Sequence, residues 1–291
     1  MHYVTGNTVI QPVSFLTRDL LTYGVGIGCT EPRFVYELDP DFCAFPTYPV
    51  VLGYKGETQD VVGHPSDTML NGPAMPNFEG TRVGLDAERY VEKINPLNPK
   101  GGTLLKVSKL ISVKNKGAGA LVEEEAILCD ASGKAFYRIV TGTFLLGARG
   151  VRDEGTSFSK TFKVPARSPD KIIELATSRN QALIYRLSGD YNPLHVDPTF
   201  ALASGFEEPI LHGLCSLGFT ARAVLCAYCD NDASKFKSIR ARFSKPVIAG
   251  QTLVVEMWKE DNKVLLLTKV KETGQVVLNN ACVELSPVAK L

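Results

Sequence analysis

Hydrophobic and polar positions alternate in two separate blocks of the chain. The first block predicts strands at residues 88–96, 103–114, 119–130 and 134–147, and the second predicts strands at residues 238–247, 252–260, 263–272 and 275–285. Short turns with glycine, such as Gly101-Gly102 and Thr273-Gly274, separate neighbouring strands. Strands joined by such short turns pair antiparallel, so we expect two antiparallel meanders, and one sheet can be continuous through both.

The two blocks echo each other in sequence. Gly101-x-Thr-Leu104 in the first block corresponds to Gly250-x-Thr-Leu253 in the second. A repeat of this kind indicates one supersecondary unit that is used twice. This interpretation divides the chain into an N-terminal repeat at residues 1–147, a polar, glycine-rich linker at residues 148–168, and a C-terminal repeat at residues 169–291.

Helical periodicity precedes each block of strands. Residues 14–27 predict an amphipathic helix, and residues 211–228 predict a more apolar helix that is the best candidate for a central helix. The glycines between Gly24 and Gly28 follow a helix and not a strand, so they indicate a helix end and not a dinucleotide-binding loop. Residues 29–80 are rich in proline, glycine, aromatic residues and methionine, which predicts either loops that cover an apolar cavity or irregular core.

Composition excludes several classes of function. The chain has 291 residues, of which 44% are hydrophobic and 22% charged, as in ordinary globular proteins. A net charge of +1 disfavours nucleic-acid binding, and no stretch is apolar enough to predict a membrane span or a secretory signal. The seven cysteines are typical of reduced thiols, and the single Cys-x-x-Cys, at Cys226 and Cys229, lies in a helical pattern without a second pair.

Candidate chemistry is concentrated between Tyr185 and His195, where an acid, an amide and an imidazole stand at Asp190, Asn192 and His195. The spacing of Ser178 and Gln181 predicts a helix start, and Gly189 predicts the end of that helix. A single acid or imidazole in a turn is usually a cap. Three polar groups on one loop between two helices instead suit general acid and base catalysis.

The run Tyr185-x-Leu-Ser-Gly-Asp-x-Asn-Pro-Leu-His195 resembles the motif of the R-specific 2-enoyl-CoA hydratases (type 2, MaoC-like), including the hydratase domains of peroxisomal multifunctional enzymes type 2. Similarity continues through Pro209–Cys215, Arg240–Pro246 and Gly250–Leu253. The resemblance implies an α+β double hot-dog fold, in which each repeat combines a helix with an antiparallel sheet. It also implies reversible hydration of trans-2-enoyl-CoA to (3R)-3-hydroxyacyl-CoA in peroxisomal fatty acid beta-oxidation.

The same resemblance implies roles for the residues of the motif. Asp190 and His195 would hold a water molecule and exchange its protons, and either of them could be the base. Asn192 would position the water or brace the loop, and the N–H of Gly213 would polarise the thioester carbonyl. Gly213 has an alternative use in close packing, and His212 is interpreted as helix-start packing and not as a second base. The motif also implies substrate contacts by Tyr191, Pro193 and Leu194.

Further contacts with the substrate are implied outside the motif. Phe243 matches a phenylalanine that contacts the substrate, although a strand phenylalanine can also be an inward core residue. Lys116 matches a lysine near CoA. Asp86-Ala87 stands where relatives carry His-Gly, so we expect Asp86 to repel a phosphate there. Arg242, with Arg240 and Lys245, is expected either to face the CoA phosphates or to be solvated.

No metal-ligand spacing is visible, and the resemblance implies no cofactor, because CoA is part of the substrate. The first repeat lacks the motif, so we expect one active site per chain and a tunnel for long or bulky acyl chains. The family implies a homodimer. The residues Ala289-Lys290-Leu291 resemble the Ser-Lys-Leu signal that a peroxisomal import receptor reads.

Three other functions stay open at this point. They are a (3R)-hydroxyacyl-thioester dehydratase that acts on carrier-protein substrates, a hot-dog thioesterase, and a non-catalytic acyl-CoA-binding subunit. Whether the chain is a stand-alone enzyme or a domain of a larger protein also stays open.

Overall fold

A computed structural model, which describes residues 3–4 and 8–287, arranges the described strands in one antiparallel sheet. The strands of the first half are β1 (Val9–Phe15), β2 (Val83–Lys93), β3 (Gly102–Asn115), β4 (Gly119–Cys129), β5 (Ala135–Leu146) and β6 (Glu154–Gly155). Those of the second half are β7 (Lys171–Ala176), β8 (Phe236–Phe243), β9 (Thr252–Glu260), β10 (Lys263–Val270) and β11 (Val276–Leu285). Their order across the sheet is β1-β3-β4-β5-β2-β8-β11-β10-β9-β7, with β6 paired to β3.

The helices lie mainly between β1 and β2 and between β7 and β8. They are α1 (Thr17–Gly26), α2 (Pro32–Val35), α3 (Leu52–Lys55), α4 (Asp67–Leu70), α5 (Gln181–Tyr185), α6 (Pro198–Ala203) and α7 (Gly213–Tyr228). Short 3-10 helices occupy Tyr48–Val51, Arg186–Ser188, Pro193–His195 and Ala233–Lys235. None of the helices in the described part of the chain is long and apolar enough to cross a membrane.

The two halves of the sheet meet at β2 and β8. Tyr90 pairs with Arg240 at the centre of this junction, and Arg89 pairs with Ala241 on one side of it. From the junction outwards, the order β2-β5-β4-β3-β1 in one half matches β8-β11-β10-β9-β7 in the other. The predicted α+β double hot-dog class and the two antiparallel meanders are therefore confirmed, while the exact repeat boundaries stay a prediction.

Some elements differ from the sequence prediction. The strand β1 occupies residues that were assigned to the start of a helix, so α1 begins only at Thr17. Pro12 indicated a helix boundary, but proline is also tolerated in an edge strand, where its missing N–H removes no ladder bond. The edge strand β7 was also missed, because its alternating pattern is short and lies next to the glycine-rich segment.

The helix α7 packs against the sheet of the second half, as predicted for the central helix. Its Gly218 allows close approach, because a Cβ atom there would stand 2.4 Å from Cγ2 of Ile27. In the described first half, no helix between β1 and β2 is as long as α7, because α1 has 10 residues and α2, α3 and α4 have four each. The inner face of the first-half sheet therefore borders an open cavity.

Residues 29–80 divide between the two predicted uses. Phe45 and Tyr48 belong to the hydrophobic core, whereas Met69 and Met75 line the cavity. Both interpretations of this segment are therefore realised, each by different side chains.

The segment 148–168 lies against the sheet along part of its length. It contributes β6, and its Phe158 ring contacts the guanidinium groups of Arg138 and Arg240 at 4.6 and 4.4 Å. The backbone N–H of Phe158 also donates to the carboxylate of Glu123. This connection is therefore packed on the sheet, although its composition predicted a linker.

Candidate active site

The loop that carries the acid and the imidazole is fixed at both ends. Ahead of it, the side chain of Gln181 accepts a hydrogen bond from the N–H of Ser178 at 3.2 Å, which is half of the predicted capping arrangement. The helix α5 then continues as a 3-10 turn, and Gly189, with φ of +130°, ends it. After the loop, Asp197 caps α6 by accepting from the N–H of Thr199 at 2.8 Å.

Asn192 braces this loop from inside. Its Oδ1 accepts a hydrogen bond from the N–H of Leu194 at 3.0 Å and so caps the 3-10 turn at Pro193–His195. The N–H of Asn192 donates to Oδ1 of Asp190 at 3.3 Å. Two roles were expected for Asn192, positioning the water and bracing the loop, and these contacts are those of a residue that braces the loop.

The imidazole of His195 is oriented by a backbone carbonyl. Its Nδ1 lies 2.8 Å from the oxygen of Ile210. Because a carbonyl only accepts, Nδ1 carries the proton and Nε2 is left as an acceptor. Burial lowers the pKa of His195 to about 4, so the ring is neutral at physiological pH.

Asp190 is buried, with 7% of its surface exposed. Burial raises the pKa of its carboxyl to about 6, while the N–H of Asn192 and the charge of His64 act in the opposite direction. Asp190 is therefore a carboxylate at neutral pH. Ring nitrogens of His195 and His212 and a carboxylate oxygen of Asp190 all lie within 4.8 Å of one another.

His212 is the N-cap residue of α7 and is only 1% exposed. Its Nε2 donates to the backbone oxygen of Asp190 at 3.1 Å, and its ring stacks on that of His195. Its Nδ1 has no hydrogen-bond partner within the described ranges. His212 thus packs at the helix start, as the sequence indicated, and it also touches both members of the acid-imidazole pair.

Gly213 is the first residue of α7, so its N–H has no acceptor within the helix and lies at the positive end of the helix dipole. A Cβ atom at this position would stand 3.0 Å from Cδ1 of Phe243. Both expected uses of Gly213, a free N–H donor and close packing, are therefore compatible with the structure.

A cavity of about 1200 Å³ is lined by residues from both halves of the chain. Its wall includes ten of the residues singled out in the sequence: Asp86, Ala87, Lys116, Asp190, Asn192, Leu194, His195, Gly213, Arg242 and Phe243. Tyr191 and Pro193 are not part of this wall. The ring of Tyr191 instead lies against the guanidinium of Arg186, at 4.8 Å.

The basic residues near the cavity differ in their exposure and in whether they pair with an acidic side chain. Lys116 and Lys245 are exposed in the cavity wall. Arg242 also lines it, but its Nη2 lies 2.6 Å from the carboxylate of Glu88. Arg240 is buried between the rings of Tyr90 and Phe158, so both positions expected for it, facing a CoA phosphate and solvated, are wrong.

Asp86 does not stand in the cavity as an isolated negative charge. Its Oδ2 lies 2.7 Å from Nη2 of Arg89, so the expected repulsion of a phosphate is largely compensated. Arg89 was missed in the sequence, together with Tyr54 and His64, which also line the cavity. An arginine at an inward position of β2 was an available signal for Arg89, whereas His64 lies in a loop without any motif.

Asp190, His195 and His212 are close enough to be compared with a metal site. However, the lone pairs of imidazole nitrogens lie in the ring planes, and these two planes are stacked 28° apart. The lone pairs are therefore confined to two nearly parallel planes, a poor geometry for ligands that must meet at one ion, and one nitrogen of each ring is already hydrogen-bonded to a backbone oxygen. The arrangement therefore favours proton transfer over chelation.

The chain matches two protein-family models. Residues 14–147 match the MFE-2 hydratase 2 N-terminal domain, and residues 160–281 match the MaoC like domain. The chain is similar to a protein named peroxisomal multifunctional enzyme type 2 from Drosophila melanogaster, with 40% identity over 98% of this chain and 48% of the relative. The chain thus spans about half the length of that relative.

Two further relatives are covered almost completely. A protein named enoyl-CoA hydratase 2, peroxisomal, from Arabidopsis thaliana is 37% identical over 90% of this chain and 87% of its own length. The crystal structure of a MaoC-like dehydratase from Phytophthora capsici superposes with a TM-score of 0.94 and 41% identity, over 99% of this chain and 97% of that one. Similarity therefore extends over both halves of the sheet.

Proposed function

The chain belongs to the family of MaoC-like and MFE-2 hydratase 2 domain proteins, and on this premise we propose that it hydrates trans-2-enoyl-CoA reversibly to (3R)-3-hydroxyacyl-CoA. One observation carries the proposal. Asp190, His195 and the N–H of Gly213 line one cavity, which offers two proton acceptors and one oxyanion donor to the same substrate. The named relatives support the choice of reaction.

The protonation states fit addition of water. At neutral pH both Asp190 and Nε2 of His195 are acceptors, so neither group supplies a proton of its own. A water molecule held between them gives one proton to the residue of the pair that acts as the base, as its oxygen bonds to C3 of the substrate. The pair then delivers one proton to C2, so no net proton is consumed.

The electrons of the C2–C3 double bond move towards the thioester as water adds. The thioester oxygen gains negative charge in this enolate-like state, and the N–H of Gly213 at the helix start is the donor that would meet it. Phe243, which packs beside Gly213, would hold the thioester in this position. The reaction needs no cofactor other than the CoA of the substrate itself.

The reverse reaction, dehydration of a (3R)-3-hydroxyacyl thioester, uses the same groups. The similarity to a protein described as a MaoC-like dehydratase favours it as a second candidate. A carrier protein presents pantetheine on a single phosphodiester, whereas CoA adds a diphosphate and a 3′-phosphate that exposed Lys116 and Lys245 can meet at the cavity wall. This contrast favours CoA thioesters as the substrates.

The test is loss of the conjugated enoyl absorbance when the protein meets trans-2-decenoyl-CoA. The product is then offered to dehydrogenases specific for 3R- and 3S-hydroxyacyl-CoA, with Asp190→Asn as the control variant. We expect a 3R product that the control does not form. A 3S product, release of free CoA, or binding without turnover would each contradict the proposal, and the last two would indicate a thioesterase and a non-catalytic subunit.

We also propose a peroxisomal location and a homodimer. The location rests on the names of the relatives and on Ala289-Lys290-Leu291, which lies outside the described residues. Removal of these three residues from a tagged chain should abolish binding to the import receptor. Light scattering should give twice the mass of the chain, and a monomeric mass would contradict the dimer.

A further inference from the structure

A line of polar side chains crosses the inner face of the first-half sheet. Arg89 on β2, Thr141 on β5 and Glu124 on β4 are cross-strand neighbours in register, and all three line the cavity. We call these three residues the polar row. Nη1 of Arg89 donates to the hydroxyl of Thr141 at 2.6 Å. Glu124 in turn pairs with Nζ of Lys106 at 3.3 Å.

The corresponding row in the second half is aliphatic. There Ile239 on β8, Val283 on β11 and Val264 on β10 are cross-strand neighbours in register, and each is fully buried. The two halves of the sheet are related about the central Tyr90–Arg240 pair. Arg89 lies one residue before Tyr90 on β2, and Ile239 lies one residue before Arg240 on β8, so these two positions correspond. The helix α7 packs on the second-half strands, whereas the cavity lies over the polar row.

Packing does not explain the polar row. Arg89 is only 6% exposed, and a buried ion pair is often no more stable than aliphatic residues of similar size, such as those in the other half. The guanidinium of Arg89 contacts Asp86, Thr141 and the hydroxyl of Tyr54, and Arg89, Thr141 and Glu124 all line the cavity. Buried polar side chains are costly unless they have partners, which points to a polar group that a ligand brings to the exposed side of the row.

We propose that the polar row binds a hydroxyl group on the acyl chain of the substrate. The inference rests on the proposed hydration of enoyl-CoA and specifies which acyl groups that site prefers. A hydroxyl can accept from the guanidinium of Arg89 and donate to the carboxylate of Glu124. The charges at the row already balance, Arg89 against Asp86 and Lys106 against Glu124, and Asp190 adds a negative charge nearby. A neutral oxygen therefore fits better than a carboxylate.

The depth of the row indicates the acyl chain and not CoA as its partner. CoA phosphates need contact with water, and the exposed lysines of the cavity wall, Lys116 and Lys245, can meet them there. The side chains of Lys106 and Glu124 are only 14% and 20% exposed, on the sheet floor. The part of the substrate that reaches such a buried floor is the acyl chain.

The experiment compares kcat/KM for trans-2-decenoyl-CoA with that for isomers carrying one hydroxyl at successive carbons from C5 to C10. At least one isomer should be preferred by about tenfold or more, as a hydrogen bond to a charged group allows. Arg89→Met should remove this preference, measured at pH 8 as the ratio of kcat/KM for the hydroxylated isomer to kcat/KM for unsubstituted decenoyl-CoA, because Arg89 also balances Asp86 near Asp190 and its loss changes the rate with both substrates. The matched control is Arg138→Met, because Arg138 is also a strand arginine in an ion pair, with Glu125, but does not line the cavity.

Several outcomes decide the matter. A flat profile over all isomers, or a preference that survives Arg89→Met, overturns the proposal. If Arg89→Met does not fold, Arg89→Lys serves instead, because it keeps the charge beside Asp86 but lacks the guanidinium fork. If the row binds pantetheine, the Arg89 variant will lose rate equally with plain and hydroxylated chains, which also overturns it. Failure to hydrate unsubstituted decenoyl-CoA at all would refute the proposed function and not only this inference.

Discussion

His212 stacks on His195 with ring centroids 3.7 Å apart, while its Nε2–H donates to the backbone oxygen of Asp190. The residue that follows it is Gly213, whose N–H begins α7. One buried side chain therefore contacts the acid loop and the imidazole and stands next to Gly213, the proposed oxyanion donor. We infer from this geometry that His212 is a positioning residue and not a second base.

We expect His212→Phe to lower kcat by about 10- to 100-fold, as the loss of an orienting partner does elsewhere. Phenylalanine keeps a ring for the stack but loses the hydrogen bond to Asp190. The KM for trans-2-decenoyl-CoA should change little, because His212 does not line the cavity. His212→Gln, which can restore a donor, should recover part of kcat. Equal losses in the two variants would contradict the role of the hydrogen bond.

Asp190 should weaken the fold while it serves the reaction. Its pKa is raised from an ordinary value near 3.8 to about 6, so the folded state disfavours the charged form. The sign follows from linkage: the carboxylate destabilises the fold above pH 6, and this effect disappears as pH falls below 4. Asp190→Asn should therefore raise the free energy of unfolding at pH 8 by up to about 3 kcal/mol and by much less at pH 4. Urea unfolding at both pH values measures the difference.

The pH dependence of catalysis should follow Asp190. The reaction needs the carboxylate, so kcat/KM should rise with pH through about 6 and then level off. His195 has a pKa of about 4, so it is already neutral in this pH range and adds no second limb. The charge of Asp86 raises the pKa of Asp190, so Asp86→Asn should move the acidic limb to lower pH. Glu92→Gln, on the same strand but outside the cavity wall, is the control and should leave the limb in place.

The exposed lysines should serve CoA and not the chemistry. The double variant Lys116→Ala, Lys245→Ala should raise KM for decenoyl-CoA about three- to tenfold and leave kcat unchanged, because exposed charge pairs each contribute little. The N-acetylcysteamine thioester of the same acid has no phosphates, so its kcat/KM should not change. An equal loss with both thioesters would show that the lysines do not contact CoA.

The sequence predicted more of this protein in its second half than in its first. Hydrophobic alternation located eight of the strands, and the local chemistry of Ser178, Gln181 and Gly189 predicted the start and the end of the helix that leads into the acid-imidazole pair. These features depend on neighbours in the chain, so they are visible in it. Arg89 and His64 reach the site only because β2 and a loop fold over it from far away in sequence. The stack of His212 on His195 likewise depends on how α7 meets the loop, which no local pattern encodes.

The two expected uses of Gly213 can be separated by making room beside it. Gly213→Ala alone would press a methyl group against the Phe243 ring, at 3.0 Å, so its activity loss would not identify the cause. In a Phe243→Leu background the space is larger, and there alanine keeps the N–H at position 213 while proline, which is tolerated at the first position of a helix, removes it. If the N–H stabilises the thioester oxygen, Phe243→Leu with Gly213→Pro should show a kcat about 100- to 1000-fold below that of Phe243→Leu with Gly213→Ala. Equal kcat values, with both proteins folded by circular dichroism, would mean that Gly213 serves packing alone.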